Sequence, residues 1–177
     1  MKRKALAITL AAAMAMGTCA VTASAADGDK YTIGICQLVQ HEALDAATQG
    51  FKDEVTKELG EDTVTFDEQN AQGDSNTCST IINSFVSNNV DLILANATPA
   101  LQAAAAGTSD IPILGTSVTE YGVALGLDDF DGTVGGNISG TADLAPLDQQ
   151  AAMLNELFPD AKNVGLLYCS AEARSEE

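Results

Sequence analysis

The feature that most constrains this chain is a regular alternation of short β-rich runs with longer segments of helical period. Residues 31–36 form the first β-rich run, and residues 42–59 then switch to a period of about 3.6. Leu44, Ala47, Phe51, Val55 and Leu59 share one helical face with Thr48 beside them, and Asp45, Gln49 and Asp53 stay off it. Glu58 is the one blemish on that face. Gly60 follows as a helix stop that accepts positive φ. Residues 63–66 alternate and read as a second strand. Residues 74–89 read as a second helix, with Asp74, Ser75 or Asn76 as N-cap and Ile81, Ile82, Phe85 and Val86 as its apolar stripe.

Residues 90–95 are the third strand. Leu92, Ile93 and Leu94 run continuously, which suits a parallel strand covered on both faces. Thr98 as N-cap and Pro99 in the first turn open a third, Ala-rich helix. Residues 111–114 are the fourth strand. Pro112 has no N–H to donate, so this strand starts late or lies near an edge. Strands alternating with helices imply βαβ units, parallel pairing and right-handed crossovers, although not the order of the sheet.

Beyond this the pattern changes. Residues 128–144 are crowded with Asp and Gly, have little period, and read as a long loop, a hinge or a linker. Asp128, Asp129 and Asp131 lack the spacing and terminal Glu of an EF-hand. Residues 146–158 are helical again, with Leu147, Ala151, Leu154 and Phe158 on one face, and residues 164–168 read as a fifth strand. One helix and one strand cannot bury a sheet face alone. They either dock on the first domain or open a second domain whose remainder lies outside this sequence, and we prefer the second reading.

The first 25 residues are set aside from the fold. Lys2, Arg3 and Lys4 precede a largely apolar run over residues 5–16, too short to span a bilayer but suited to a secretory signal. Two cleavage readings compete. Ala23-Ser24-Ala25 is a small-x-small site that would start the mature chain at Ala26, and Met16-Gly17-Thr18-Cys19 resembles a lipobox that would put a lipid on Cys19. Removal of the segment leaves five basic against 25 acidic side chains, a formal charge of −20. Such a polyanion is a poor partner for nucleic acid or anionic lipid. The single His, His41, excludes a His-rich metal centre and has no evident nucleophile partner, so we expect neither an enzyme nor a resident metal. No phosphate-binding glycine motif follows a strand, and no cofactor is expected. Cys36, Cys78 and Cys169 match no zinc spacing; a Cys36–Cys78 bridge and buried free thiols both remain open.

Several longer words then fall into order: Asn70-Ala-Gln-Gly-Asp74, Asp91-Leu-Ile-Leu-Ala-Asn-Ala-Thr-Pro-Ala-Leu-Gln102, Ile113-Leu-Gly-Thr-Ser-Val118, Ser139-Gly-Thr-Ala-Asp-Leu-Ala-Pro146 and Val164-Gly-Leu-Leu-Tyr-Cys-Ser-Ala-Glu172. Together they resemble the substrate-binding proteins of bacterial ABC importers, in the family whose better-known members bind tryptophan or tyrosine. The resemblance runs from residue 31 to about residue 172. It implies a periplasmic-binding-protein type I-like α/β lobe, with a parallel sheet and helices on both faces, cut off before most of a second lobe. Residues 26–136 would be lobe one, 137–145 the crossover or hinge with the first crossing at 137–140, and 146–177 the start of lobe two. The implied role is an extracytoplasmic solute-binding component that holds an amino acid, aromatic favoured, between two lobes and meets an importer permease. It would work at the outer face of the cell membrane or in the periplasm. The competing reading is an isolated lobe that binds nothing by itself.

In a parallel sheet, ligands sit beyond the carboxyl ends of the strands. Four loops reach that edge: 37–41, 69–76, 96–98 and 116–118. Thr98 heads the candidates, as a hydroxyl at a helix start beside free N–H groups; its alternative role is to cap its own helix. Thr116 and Ser117 offer two more hydroxyls. Arg174 is the only Arg after the signal segment, so a bidentate grip on a carboxylate or phosphate is excluded from lobe one. That favours a zwitterion, whose ammonium would seek Asp143 or Glu172. Gln37 and His41 complete the set, with capping as the alternative for His41. Tyr121 is placed either to stack on an aromatic ligand or to pack over the sheet.

Overall fold

A computed structural model describes residues 30–167. Ten elements follow in order: β1 Tyr31–Gln37, α1 Glu42–Leu59, β2 Val64–Asn70, α2 Ser75–Ser87, β3 Leu92–Asn96, α3 Thr98–Gly107, β4 Ile113–Val118, α4 Tyr121–Leu125, β5 Ile138–Ala142 and α5 Leu147–Leu157. The sheet order is β2-β1-β3-β4-β5, and every pair is parallel.

The helices divide between the two faces as the apolar stripes require. Phe51 and Val55 of α1 pack with Ile33, Ile35 and Leu94 on one face. On the other, Cys78, Ile81, Ile82 and Phe85 of α2 join Ala100, Leu101 and Ala104 of α3 and Tyr121 and Ala124 of α4. β1 and β3 are covered on both sides, which explains the unbroken apolar run in β3. Gly34 is the contact point with α2: a Cβ there would sit 2.6 Å from the Phe85 ring. The chain winds from β1 outward to β2, then returns past β1 to build β3, β4 and β5. The direction of winding therefore reverses between β1 and β3, the switch point at which parallel sheets of this kind form a crevice beyond the carboxyl ends of the strands.

Local signals place most boundaries. Asp74 caps α2, its Oδ1 accepting from Asn76 N at 2.6 Å and Thr77 N at 3.1 Å. Gly60, at φ 94°, ends α1. Pro112 stands just outside β4, so the strand starts late, in the sheet interior and not at its edge.

Four readings need correction. β2 and β4 run further than their patterns suggested, so Gln69, Asn70, Thr116 and Ser117 belong to strands and not to the loops after them. The β4 ladder with β3 continues past Gly115 to Asn96↔Thr116, and the pairing with β5 resumes at Val118↔Ala142. Thr98 is not an N-cap: it is the first residue of α3, Ala97 holds the cap position, and no side chain caps the helix. Part of the supposed loop over 128–144 is strand β5, whose register comes from pairing with β4 because four of its five residues are exposed and carry no apolar period. Finally, the supposed fifth strand over 164–168 is not a strand as far as residue 167; Val164, Leu166 and Leu167 are exposed. An apolar strand needs a ladder and covering faces, and among the described residues nothing supplies them there.

Candidate functional site

The crevice is floored by three buried polar side chains: Gln37 at the end of β1, Asn96 at the end of β3 and Thr48 in α1. Gln37 and Asn96 are ladder partners. Thr48 Oγ1 donates to Gln37 Oε1 at 2.7 Å, and Asn96 Nδ2 donates to Thr48 Oγ1 at 2.9 Å and to the Leu44 carbonyl at 2.8 Å. Gln37 Nε2 donates to Asp45 Oδ1 at 2.6 Å and to the Val39 carbonyl at 2.9 Å. The Gln37 amide is thus engaged within the protein on both its oxygen and its nitrogen. The network fastens α1 to the strand ends. Asn96 Oδ1 is buried without a hydrogen-bond partner.

Main-chain bonds hold the rest of the edge. Leu38 N donates to the Asn96 carbonyl at 3.2 Å, Ala71 N to Gln37 at 2.8 Å, Gly73 N to Leu38 at 2.7 Å, and Ala97 N to Thr116 at 3.0 Å. Three non-glycine residues take positive φ at this edge: Gln72 at 55°, Ala97 at 91° and Ser117 at 55°. Ala97, with ψ 156°, occupies a region that is nearly exclusive to Gly and costs of order 1–3 kcal/mol. Ser117 lies where the β4–β5 register shifts between Gly115 and Val118. Ala97 directly follows β3 and Ser117 is the penultimate residue of the neighbouring β4, so both lie at the same edge.

α3 begins directly after Ala97. With no side-chain cap, its leading N–H groups and the positive end of its dipole face the crevice edge, with the half-buried Thr98 hydroxyl beside them. Asp143 follows β5 at the same edge, its N–H donating to the Val118 carbonyl at 3.0 Å, and its side chain is exposed. The exposed His41 caps α1, Nδ1 accepting from Ala43 N at 3.2 Å. Gln37, His41, Thr98, Thr116, Ser117 and Asp143 therefore all lie along the carboxyl edge of the sheet, with Gln37 committed to the network and His41 to a cap. Glu172 lies outside the described residues.

Tyr121 packs over the sheet. It is buried, and its Oη donates to the Thr141 carbonyl at 3.2 Å. Gly115 and Gly140 leave the space it fills, since a Cβ on either would collide with its hydroxyl. Burial pushes the phenol pKa up, and the Asp143 carboxylate adds to the rise. Two open grooves flank β5: one of about 410 Å³ beside Tyr121, Phe130 and Ile138, the other of about 430 Å³ on the α1 side beside Phe51, Leu114 and Thr116. Neither coincides with the switch point between β1 and β3; the strained Ala97 and the uncapped start of α3 lie at the end of β3, on the side toward β4.

Sequence patterns missed Asn96 and Thr48 as the floor of this crevice. Thr48 gave a faint signal, a hydroxyl beside an apolar helical stripe. Ala97 gave none, because Ala has no preference for positive φ.

Residues 32–177 match the model of the family described as ABC transporter substrate binding protein. A tyrosine-binding protein from Clostridioides difficile (strain R20291) is 42% identical over 148 residues, 81% of this chain and 42% of the relative. The crystal structure of an ABC domain in complex with L-Trp from Streptococcus pneumonia is 34% identical with a TM-score of 0.74, over 81% of this chain and 49% of that one. A conserved domain protein from Vibrio cholerae is 32% identical, also with a TM-score of 0.74 and the same coverage. The chain spans about half the length of the relatives it matches.

Proposed function

This chain belongs to the family of ABC transporter substrate-binding proteins, and on that premise we propose that it supplies the first wall of an extracytoplasmic cleft for an amino acid, aromatic favoured, delivered to an importer permease. The observation that carries this reading is the uncapped start of α3 at the crevice edge, between strained Ala97 and half-buried Ser117. Free N–H groups and hydroxyls there suit the carboxylate of a zwitterion. Residues 30–167 contain no Arg to grip a doubly charged phosphate. Asp143, exposed on the same edge, is the partner for the α-ammonium. The L-Trp complex and the tyrosine-binding relative support the aromatic choice. The family's export supports an extracytoplasmic location, and Met16-Gly17-Thr18-Cys19 supports a lipid on Cys19.

The test is thermal unfolding of the chain alone and with millimolar tryptophan, tyrosine, phenylalanine, leucine or a sugar. Binding to the folded state raises the melting temperature in proportion to the logarithm of ligand excess. A rise with aromatic amino acids, none with sugar, and its reduction in Thr98→Val and Asp143→Asn are expected. A rise with sugar alone would sink the amino-acid reading. A second reading, a lobe that holds no ligand by itself, is favoured by α5: all of its residues are exposed, so among the described residues it packs no second wall against the first lobe. A cooperative melt that no ligand shifts would select it.

A further inference from the structure

We propose that Cys36 and Cys78 are a disulfide-forming pair, closed when the chain folds in an oxidising compartment, so that the end of β1 is stitched to the opening turns of α2. Both side chains are fully buried in the same cluster between the sheet and α2. The backbone around them is fixed on both sides. Gln37 and Leu38 accept from Ala71 and Gly73, and Cys78 N donates to Asp74 at 3.1 Å. In the reduced chain the two thiols are close enough for each to perturb the other's ionisation. Both are free thiols in this structure. The inference rests on the export signal and the packing of α2 on β1, and is independent of which ligand the crevice takes.

The oxidant is a small-molecule disulfide or the disulfide of a thiol oxidoreductase. One cysteine thiolate attacks it, forming a mixed disulfide and releasing one thiolate. The second cysteine thiolate then attacks the protein sulfur of that mixed disulfide and displaces the second. Two electrons pass to the oxidant, and the two protons lost by the cysteines end on the two released thiols. Burial pushes both thiols up in the folded chain, which disfavours the attacking thiolate there. Exchange therefore runs before α2 seals against β1, and the closed bond is afterwards shielded from reductants.

The experiment uses the full chain carrying Cys19→Ser and Cys169→Ser, refolded from denaturant in mixed oxidised and reduced glutathione, then unfolded and alkylated. Expected are an intact mass lower by two hydrogens, no alkylation, and one linked peptide pair containing Cys36 and Cys78 that separates on reduction. The oxidised form should also melt above the reduced form of the same protein. Alkylation of both cysteines, or glutathione retained on either one, would overturn the proposal. So would an oxidised form that melts below the reduced one, because the bond would then distort the fold.

Discussion

Ala97 concentrates the peculiarity of this molecule in a single peptide. Its φ of 91° turns the chain sharply from β3 into α3 and leaves the helix without a capping side chain. A glycine would adopt that conformation without strain. Ala97→Gly should therefore raise unfolding stability by about 1 kcal/mol in urea titration, despite the greater freedom glycine gives the unfolded chain. A loss of stability would mean the φ is relieved elsewhere. The candidate residues were legible as a group, because carboxyl-edge positions follow from strand order in the chain. Their individual roles were not. Whether Thr98 caps its helix depends on one backbone torsion at the preceding residue, and whether Gln37 is free depends on Thr48 and Asp45 packing across from it.

At the scale of elements, α1 is bound to the sheet by more than its apolar stripe. Thr48→Val preserves shape but leaves Gln37 Oε1 and the Asn96 amide short of a partner. A cost of about 2 kcal/mol is expected by chemical denaturation, with little change in secondary structure. The seam between β1 and α2 responds to pH instead. Burial raises the pKa of both thiols in the folded state, so the unfolded chain releases those protons first. The stabilising contribution is intact below the ordinary thiol value of 9.0 and is lost as pH rises from there toward the folded values. Tyr121, also raised, adds to the loss above its ordinary 10.0. The reduced chain should weaken more steeply than the oxidised one between neutral pH and about pH 10, measured by urea melts. A Cys36–Cys78 bond should itself contribute about 4 kcal/mol, or roughly 10 °C in the melting temperature. The buried elements announced themselves through long apolar periods: β1, β3, α1 and α2 lie close to where the pattern placed them. The edge did not, since β5 owes its existence to hydrogen bonds with β4 and not to its side chains. Residues 164–167 make the converse case, with the right side chains and no ladder.

Over the described residues the sheet is covered on both faces at β1 and β3, and open at one flank. Among those residues β5 ends the sheet order with one edge unpaired, and Leu147, Leu154, Leu157 and Phe158 of the α5 region are exposed. Apolar surface of this kind favours association, while a formal charge of −17 opposes it. Added salt screens the repulsion but not the apolar attraction. Sedimentation should thus show self-association that grows with protein and salt concentration and falls in the Leu154→Glu, Leu157→Glu variant. A monomer across the whole range would refute it. The uncapped start of α3 has a different consequence. On the proposed reading, this wall holds its ligand partly with main-chain N–H groups, supplied by Thr98 and Ala100 because Pro99 between them has none. Alanine scanning would register the Thr98 hydroxyl and the Asp143 carboxylate but pass over that main-chain share, and drift in the surrounding side chains would leave it unchanged. It would emerge on exchanging a single amide for an ester, at Ala100 for example, where the donor vanishes and the side chain stays.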